Sequence, residues 1–318
     1  MAGSTSYTNI LRCVLTVLIA FLANLLVAVA KSVAATITGS ASMLAEAAHS
    51  WADTGNEIFL IVADRRSARR KDEEHPLGYG REAYVWSLFA AVGIFTAGAV
   101  VSVFHGVQEL FDPEPASDFV VAYVVLGISL VLEGFSFTQA FVQARRRAQL
   151  RGQGTLDHVL TSSNTTLRAV FAEDAAALIG LVLAAAGIAL HQITGNAAFD
   201  AAGSILIGLL LAVVAIILID RNRRFLVGAG PTPEVRSRAG RMLLASPEIE
   251  RVTYLHLEFV GPDRLFLVAA VDLVGDRREE DVAVQLRRLE RVIEQQEYVE
   301  TAVLSLSVSD EPSLEFVL

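Results

Sequence analysis

Apolar positions dominate the first two thirds of this chain, and three long intervals hold no basic residue: between Lys31 and Arg65, between Arg81 and Arg145, and between Arg168 and Arg221. A membrane-spanning helix needs roughly 20 mostly apolar residues, because its backbone must satisfy its own hydrogen bonds in hydrocarbon. That length predicts six helices, near residues 10–34, 42–64, 83–108, 118–144, 166–190 and 199–220. Basic residues gather between them in three clusters, Arg65 to Lys71, Arg145 to Arg151 and Arg221 to Arg224. If the helices alternate in direction, all three clusters fall on one side, which the positive-inside rule makes cytoplasmic. The opposite connections are acidic or neutral: TITGS, HQITGNAAFD, and ELFDPEPASD with Asp112, Glu114 and Asp118. Both termini are therefore expected in the cytoplasm. The opening MAGSTSYTNILR has one basic residue, Arg12, and no small-residue cleavage site follows at a suitable distance, so the first helix is expected to be retained.

After Gly228 the pattern changes to that of a water-exposed domain. PTPEVRSRAGRMLLAS reads as an amphipathic helix, and VTYLHLEF and RLFLVAAVDLV read as strands joined at the turn GPD. In EEDVAVQLRRLERVIEQQ, the residues Val282, Leu286, Leu289 and Ile293 form one helical stripe. TAVLSLSVS alternates, with Leu304, Leu306 and Val308 expected on one face and serines on the other. The order αββαβ predicts a small α/β sandwich of ferredoxin-like type. The fold class is thus an α-helical membrane protein, with a six-helix domain over residues 1–228 and a cytoplasmic ferredoxin-like domain over residues 229–318.

Composition agrees, since 53% of the 318 residues are hydrophobic and 19% charged. The single cysteine, Cys13, can form neither an internal disulfide nor, by itself, a thiolate metal site. A net charge of −9 argues against nucleic acid as a partner and leaves lipid as the surroundings. The multi-pass chain is expected in the cell membrane, and no motif marks an organelle.

Ionisable groups inside spanning helices are costly, so each marks a candidate function. The second helix has the densest set: in AEAAHSWADTGNE, the residues Glu46, His49, Asp53 and Asn56 lie along one face. His49 and Asp53 sit one turn apart, where an imidazole and a carboxylate can grip one divalent ion. The fifth helix offers Glu173 and Asp174, but neighbours on a helix point about 100° apart, so both can face that ion only where the helix is locally irregular. Glu133 and His105 stand alone in their helices and read as groups bonded to a neighbouring helix. The ligand types favour Zn²⁺ as transported substrate, with Co²⁺, Fe²⁺ or Mn²⁺ as alternatives, and no organic cofactor is implied.

The run TGSASMLAEAAHSWADTGNE, then HPLGYGREAYVWSL, then FAEDAAALIG and the terminal αββαβ order resembles the cation diffusion facilitator family of metal exporters over nearly the whole chain. The resemblance implies a transport site of two residues on the second helix and two on the fifth. Three positions match as His49, Asp53 and Asp174; the fourth falls on Val170, which cannot bind metal. Glu173, Glu46, Asn56 or water would complete the shell, or one position stays exchangeable. In the HPLGYGR loop, Asp72 and His75 occupy positions that suit a second metal, but Tyr79 stands where some members carry a histidine. The terminal domain has one histidine, His256, so no binuclear cluster is expected there. The resemblance further implies a homodimer paired through its terminal domains, and proton antiport by alternating access. Protons would balance the charge of an emptied histidine–carboxylate site. The chain reads as a secondary transporter and not an enzyme: no HExxH pair supports an intramembrane metalloprotease. A non-transporting sensor or scaffold is the alternative that Val170 keeps open.

Overall fold

The computed structural model describes residues 3–113, 117–150, 152–275 and 277–316, with backbone alone for residues 3–20 and 95. Glu114 and Arg151 from the charged connections, and the side chains of Arg12 and Cys13, lie outside the described residues. The chain forms two compact units: Met1–Val62 with Trp86–Arg221, and Ala63–Val85 with Asn222–Leu318.

Long helices build the first unit: α1 (Gly3–Thr38), α2 (Ala41–Ser67), α3 (Glu82–Gly93), a π-helical stretch (Ile94–Val100), α4 (Val101–Phe111), α5 (Phe119–Leu150), the short α6 (Thr155–Thr161), α7 (Thr165–Thr194) and α8 (Ala198–Leu226). Among the described residues five stretches are long and apolar enough to cross a bilayer: Phe21–Thr38, Glu82–Phe111, Phe119–Leu150, Thr165–Thr194 and Ala198–Leu226. At 27 residues α2 matches them in length but carries Glu46, Asp53 and Glu57 along its course. Large apolar side chains face outward, as hydrocarbon surroundings favour: on α5, Val120 and Val131 are each 72% exposed and Phe135 is 68% exposed. Small residues allow close helix approach, and a methyl group at Gly208 of α8 would lie 2.9 Å from the Ala99 carbonyl oxygen.

The start of α2 is fixed from another helix. Asp200 of α8 accepts from the Ala41 N–H at 2.8 Å and from the Ser42 N–H at 3.3 Å, while the Ser40 hydroxyl accepts from the Met43 N–H. These bonds satisfy N–H groups that a helix start leaves without partners, and they set the axial position of the polar face of α2.

In the second unit α9 (Pro233–Leu244), β1 (Ile249–Gly261), β2 (Arg264–Leu273), α10 (Glu279–Ile293) and β3 (Val299–Leu306) follow in the order αββαβ. The sheet order is β1-β2-β3, with β1 and β2 antiparallel and β2 and β3 parallel. Leu267 pairs with Leu257 on one side and Ala302 on the other, at the centre of a core that includes Leu243, Val271, Leu289 and Ile293. The α10 stripe faces that core, with Val282 and Leu286 at its margin. The β3 alternation departs from expectation: Leu304 is buried, but Leu306 and Val308 are 53% and 60% exposed. The last strand pair is Leu306 with Val271; beyond it Arg251 of β1 donates to the carbonyl oxygens of Val308 and Glu311.

Candidate functional site

The N-terminal anchor of α2 leaves its polar face inside the first unit. Glu46, His49 and Asn56 are 0%, 1% and 2% exposed, and Asp53 is half-buried. His49 Nε2 lies 3.4 Å from Asp53 Oδ2. Neither ring nitrogen of His49, nor Asp53 Oδ1, has a hydrogen-bond partner among the described residues. Burying polar atoms without partners is unfavourable by about 1–3 kcal/mol each, so this imidazole and carboxylate hold unused ligand capacity where solvent cannot satisfy it.

The two acids of α7 diverge as helix geometry requires. Glu173 turns to α2 and accepts from the Asn56 side-chain amide, whereas Asp174 turns to α5 and accepts from Ser136 Oγ at 2.8 Å. Among the described residues no three histidine, cysteine, aspartate or glutamate side chains gather closely enough to hold an ion. His49 and Asp53 are brought together, then, while Asp174 is held apart on Ser136. Val170, one turn before Asp174, offers no ligand atom.

Glu46 is engaged elsewhere, and its partner is the residue that sequence reasoning missed. Lys31 marks one edge of a basic-free interval in the sequence, yet its side chain is fully buried. Its Nζ donates to Glu46 Oε2 and to Glu133 Oε1, each at 2.9 Å. Glu133 is therefore an ion-pair partner and not a lone polar group. The available signal was the lysine inside the apolar run VAVAKSVAA, since a charge so placed needs a partner. Asn24 is a second polar residue of α1 that the pattern of apolar runs conceals; its Nδ2 donates to Glu57 at 2.5 Å.

The loop after α2 is built differently. Asp72 Oδ1 accepts from the His75 N–H at 2.8 Å and lies 3.6 Å from His75 Nδ1, and Asp72 Oδ2 accepts from the Tyr79 hydroxyl at 2.7 Å. The Tyr79 hydroxyl, then the His75 N–H, holds the Asp72 carboxyl below its ordinary range; the same bond to Asp72 pushes the Tyr79 phenol up. His75 stacks on the Tyr79 ring at 4.0 Å, with the Arg69 guanidinium 4.3 Å from the centre of that ring. Gly78 turns the chain with φ +77°, and a methyl group on Gly80 would meet the Val260 carbonyl oxygen at 2.5 Å. Arg81 pairs with Glu258 of β1. Both oxygens of Asp72 are in use, and the loop is a packed turn against the sheet of its own unit.

Comparison with known proteins adds an independent line. The model of the cation efflux transmembrane domain matches residues 17–227, more than half of the chain. A proton-coupled zinc antiporter SLC30A9, mitochondrial, from Xenopus laevis is 36% identical over 245 residues, covering 77% of this chain and 44% of that protein. Metal tolerance protein C4 from Arabidopsis thaliana is 36% identical over 233 residues, covering 73% and 51%. Zinc transporter ZitB from Pectobacterium atrosepticum is 24% identical over 245 residues, covering 77% and 71%. The chain thus spans about half or less of the first two relatives' lengths.

Proposed function

Since the chain belongs to the cation efflux family, we propose that it is a secondary transporter that exports a divalent transition metal, Zn²⁺ foremost, from the cytoplasm in exchange for protons. The observation that carries this reading is the buried His49–Asp53 pair with its unpartnered atoms. An imidazole and a carboxylate suit Zn²⁺, and Co²⁺ or Fe²⁺ less specifically. On arrival of the ion Asp174 leaves Ser136 to become the third ligand, and Glu173 or water takes the position that Val170 cannot fill. Lys31 takes Glu46 Oε2, whereas Asn56 Oδ1 has no partner among the described residues and remains a candidate for that same position. The emptied site resets with protons on its imidazole and carboxylates. The names of the SLC30A9 relatives support proton coupling, and the ZitB name supports zinc.

In this reading α2 is the sixth span, its polar face turned from lipid toward its neighbours, and the basic connections put both termini in the cytoplasm. The terminal αββαβ domain is ferredoxin-like, and it pairs two copies as a homodimer. The membrane is the cell membrane; location of the tagged chain in mitochondria would move the same exporter to that organelle. The deciding experiment is Zn²⁺ flux in proteoliposomes with and without a pH gradient. Flux that collapses when the gradient is dissipated is expected, and flux indifferent to it removes the antiport step. Val170 favours one second reading, a non-transporting sensor, and a chain that binds Zn²⁺ without moving it would establish that instead.

A further inference from the structure

Lys31 is the least expected charge in the first unit. Its ammonium lies between carboxylates of two other helices, Glu46 of α2 and Glu133 of α5, at 2.9 Å from each. One ammonium meets two carboxyl groups. The remaining oxygens, Glu46 Oε1 and Glu133 Oε2, have no hydrogen-bond partner among the described residues. Glu46 Oε1 packs against the backbone of α7, where a methyl group added to Gly180 would lie 2.5 Å away. One oxygen of each carboxylate therefore contacts the ammonium, and the other oxygen of each is spare. That donor set is all oxygen, the kind hard divalent cations prefer, and such cations sit roughly 2.3–2.6 Å from oxygen in the case of Ca²⁺. A shift of a few tenths of an ångström would convert the ammonium's position into a cation's.

We propose that Lys31 is a specificity-determining residue: its ammonium occupies a latent all-oxygen cation position between Glu46 and Glu133 and so confines the transported ion to the imidazole-bearing pair His49 and Asp53. This rests on the exporter reading above. His49 lies one turn from Glu46 on α2, so an ion held at the latent position would lie beside the transport site and compete with it. A tethered cation there rejects hard cations without disturbing the imidazole that favours Zn²⁺, which is discrimination by exclusion.

The test compares Zn²⁺ and Mn²⁺ flux in proteoliposomes holding the full chain. In Lys31→Met the Mn²⁺:Zn²⁺ flux ratio is expected to rise at least about tenfold, and to return toward the wild-type ratio when Glu46→Gln and Glu133→Gln are added. A folded, Zn²⁺-transporting Lys31→Met with an unchanged ratio overturns the proposal. Should Lys31→Met fail to fold in EDTA, its thermal unfolding in detergent with Mn²⁺ decides. Recovery of a cooperative transition by Mn²⁺ is the expected result, and no recovery reduces Lys31 to a packing role. A wild type that moves neither ion sinks the exporter reading instead, and Mn²⁺ stabilisation of the variant then decides by itself whether Lys31 fills a cation position.

Discussion

Two histidine–aspartate pairs, one on α2 and one in the loop that follows it, share residue types and nearly share a distance: 3.4 Å for His49 and Asp53, 3.6 Å for His75 and Asp72. Their surroundings are opposite. The first is buried, with both ring nitrogens and one carboxylate oxygen unpartnered. The second is about half exposed, its carboxylate bonded through both oxygens and its ring stacked on Tyr79. The difference teaches that the same two residue types keep bonding capacity unused in a buried interior and spend it where neighbours are at hand. In the exposed pair the Asp72 carboxylate already accepts from the His75 N–H and the Tyr79 hydroxyl.

The comparison can be broken from its strong end. His49→Ala or Asp53→Ala is expected to lower Zn²⁺ flux by more than about a hundredfold in proteoliposomes while size-exclusion profiles stay unchanged, because each removes half of the pair. Normal flux in either variant would dissolve the distinction between the two pairs. Asp174→Ala comes next, with a loss of about tenfold, since Asp174 must leave Ser136 to reach the ion; a flux equal to wild type would remove it from the ligand set.

At the other pair the predictions concern stability. Gly80→Ala forces a methyl group against the Val260 carbonyl oxygen and the Gly261 backbone, and is expected to destabilise the second unit by about 1–3 kcal/mol, read as a lower thermal transition. Asp72→Ala and His75→Ala should alter Zn²⁺ flux less than about twofold, and a larger loss would make the loop a second metal site. Smallest is the effect of Tyr79→Phe. The Asp72 carboxyl is depressed in the folded chain, so its contribution to stability is present above its ordinary range and fades as pH falls through the folded value. Removing the Tyr79 hydroxyl should raise that carboxyl toward its ordinary range in a carboxyl-carbon NMR titration; an unmoved titration would reassign the cause to the backbone of the loop.

Much of this was legible in the residues because it is periodic or local. Helical spacing puts Glu46, His49, Asp53 and Asn56 on one face, and the structure buries three of them and half-buries the fourth. The 100° offset between Glu173 and Asp174 is enough to expect that they part company, as they do. The αββαβ order, the GPD turn and the α10 stripe likewise follow from short-range pattern.

What the chain alone determined is therefore which residues share a face and which stretches suit hydrocarbon, since both follow from the geometry of one helix or strand and from its own side chains. Only the tertiary structure decided who meets whom. Lys31 finds Glu46 and Glu133 at separations of 15 and 102 residues, Asp200 caps a helix that begins 159 residues earlier, and Leu306 is left exposed where β3 parts from its neighbour. Such partners are chosen by the packing of whole helices, and a buried charge states that it needs a counter-charge without stating from which helix it will come.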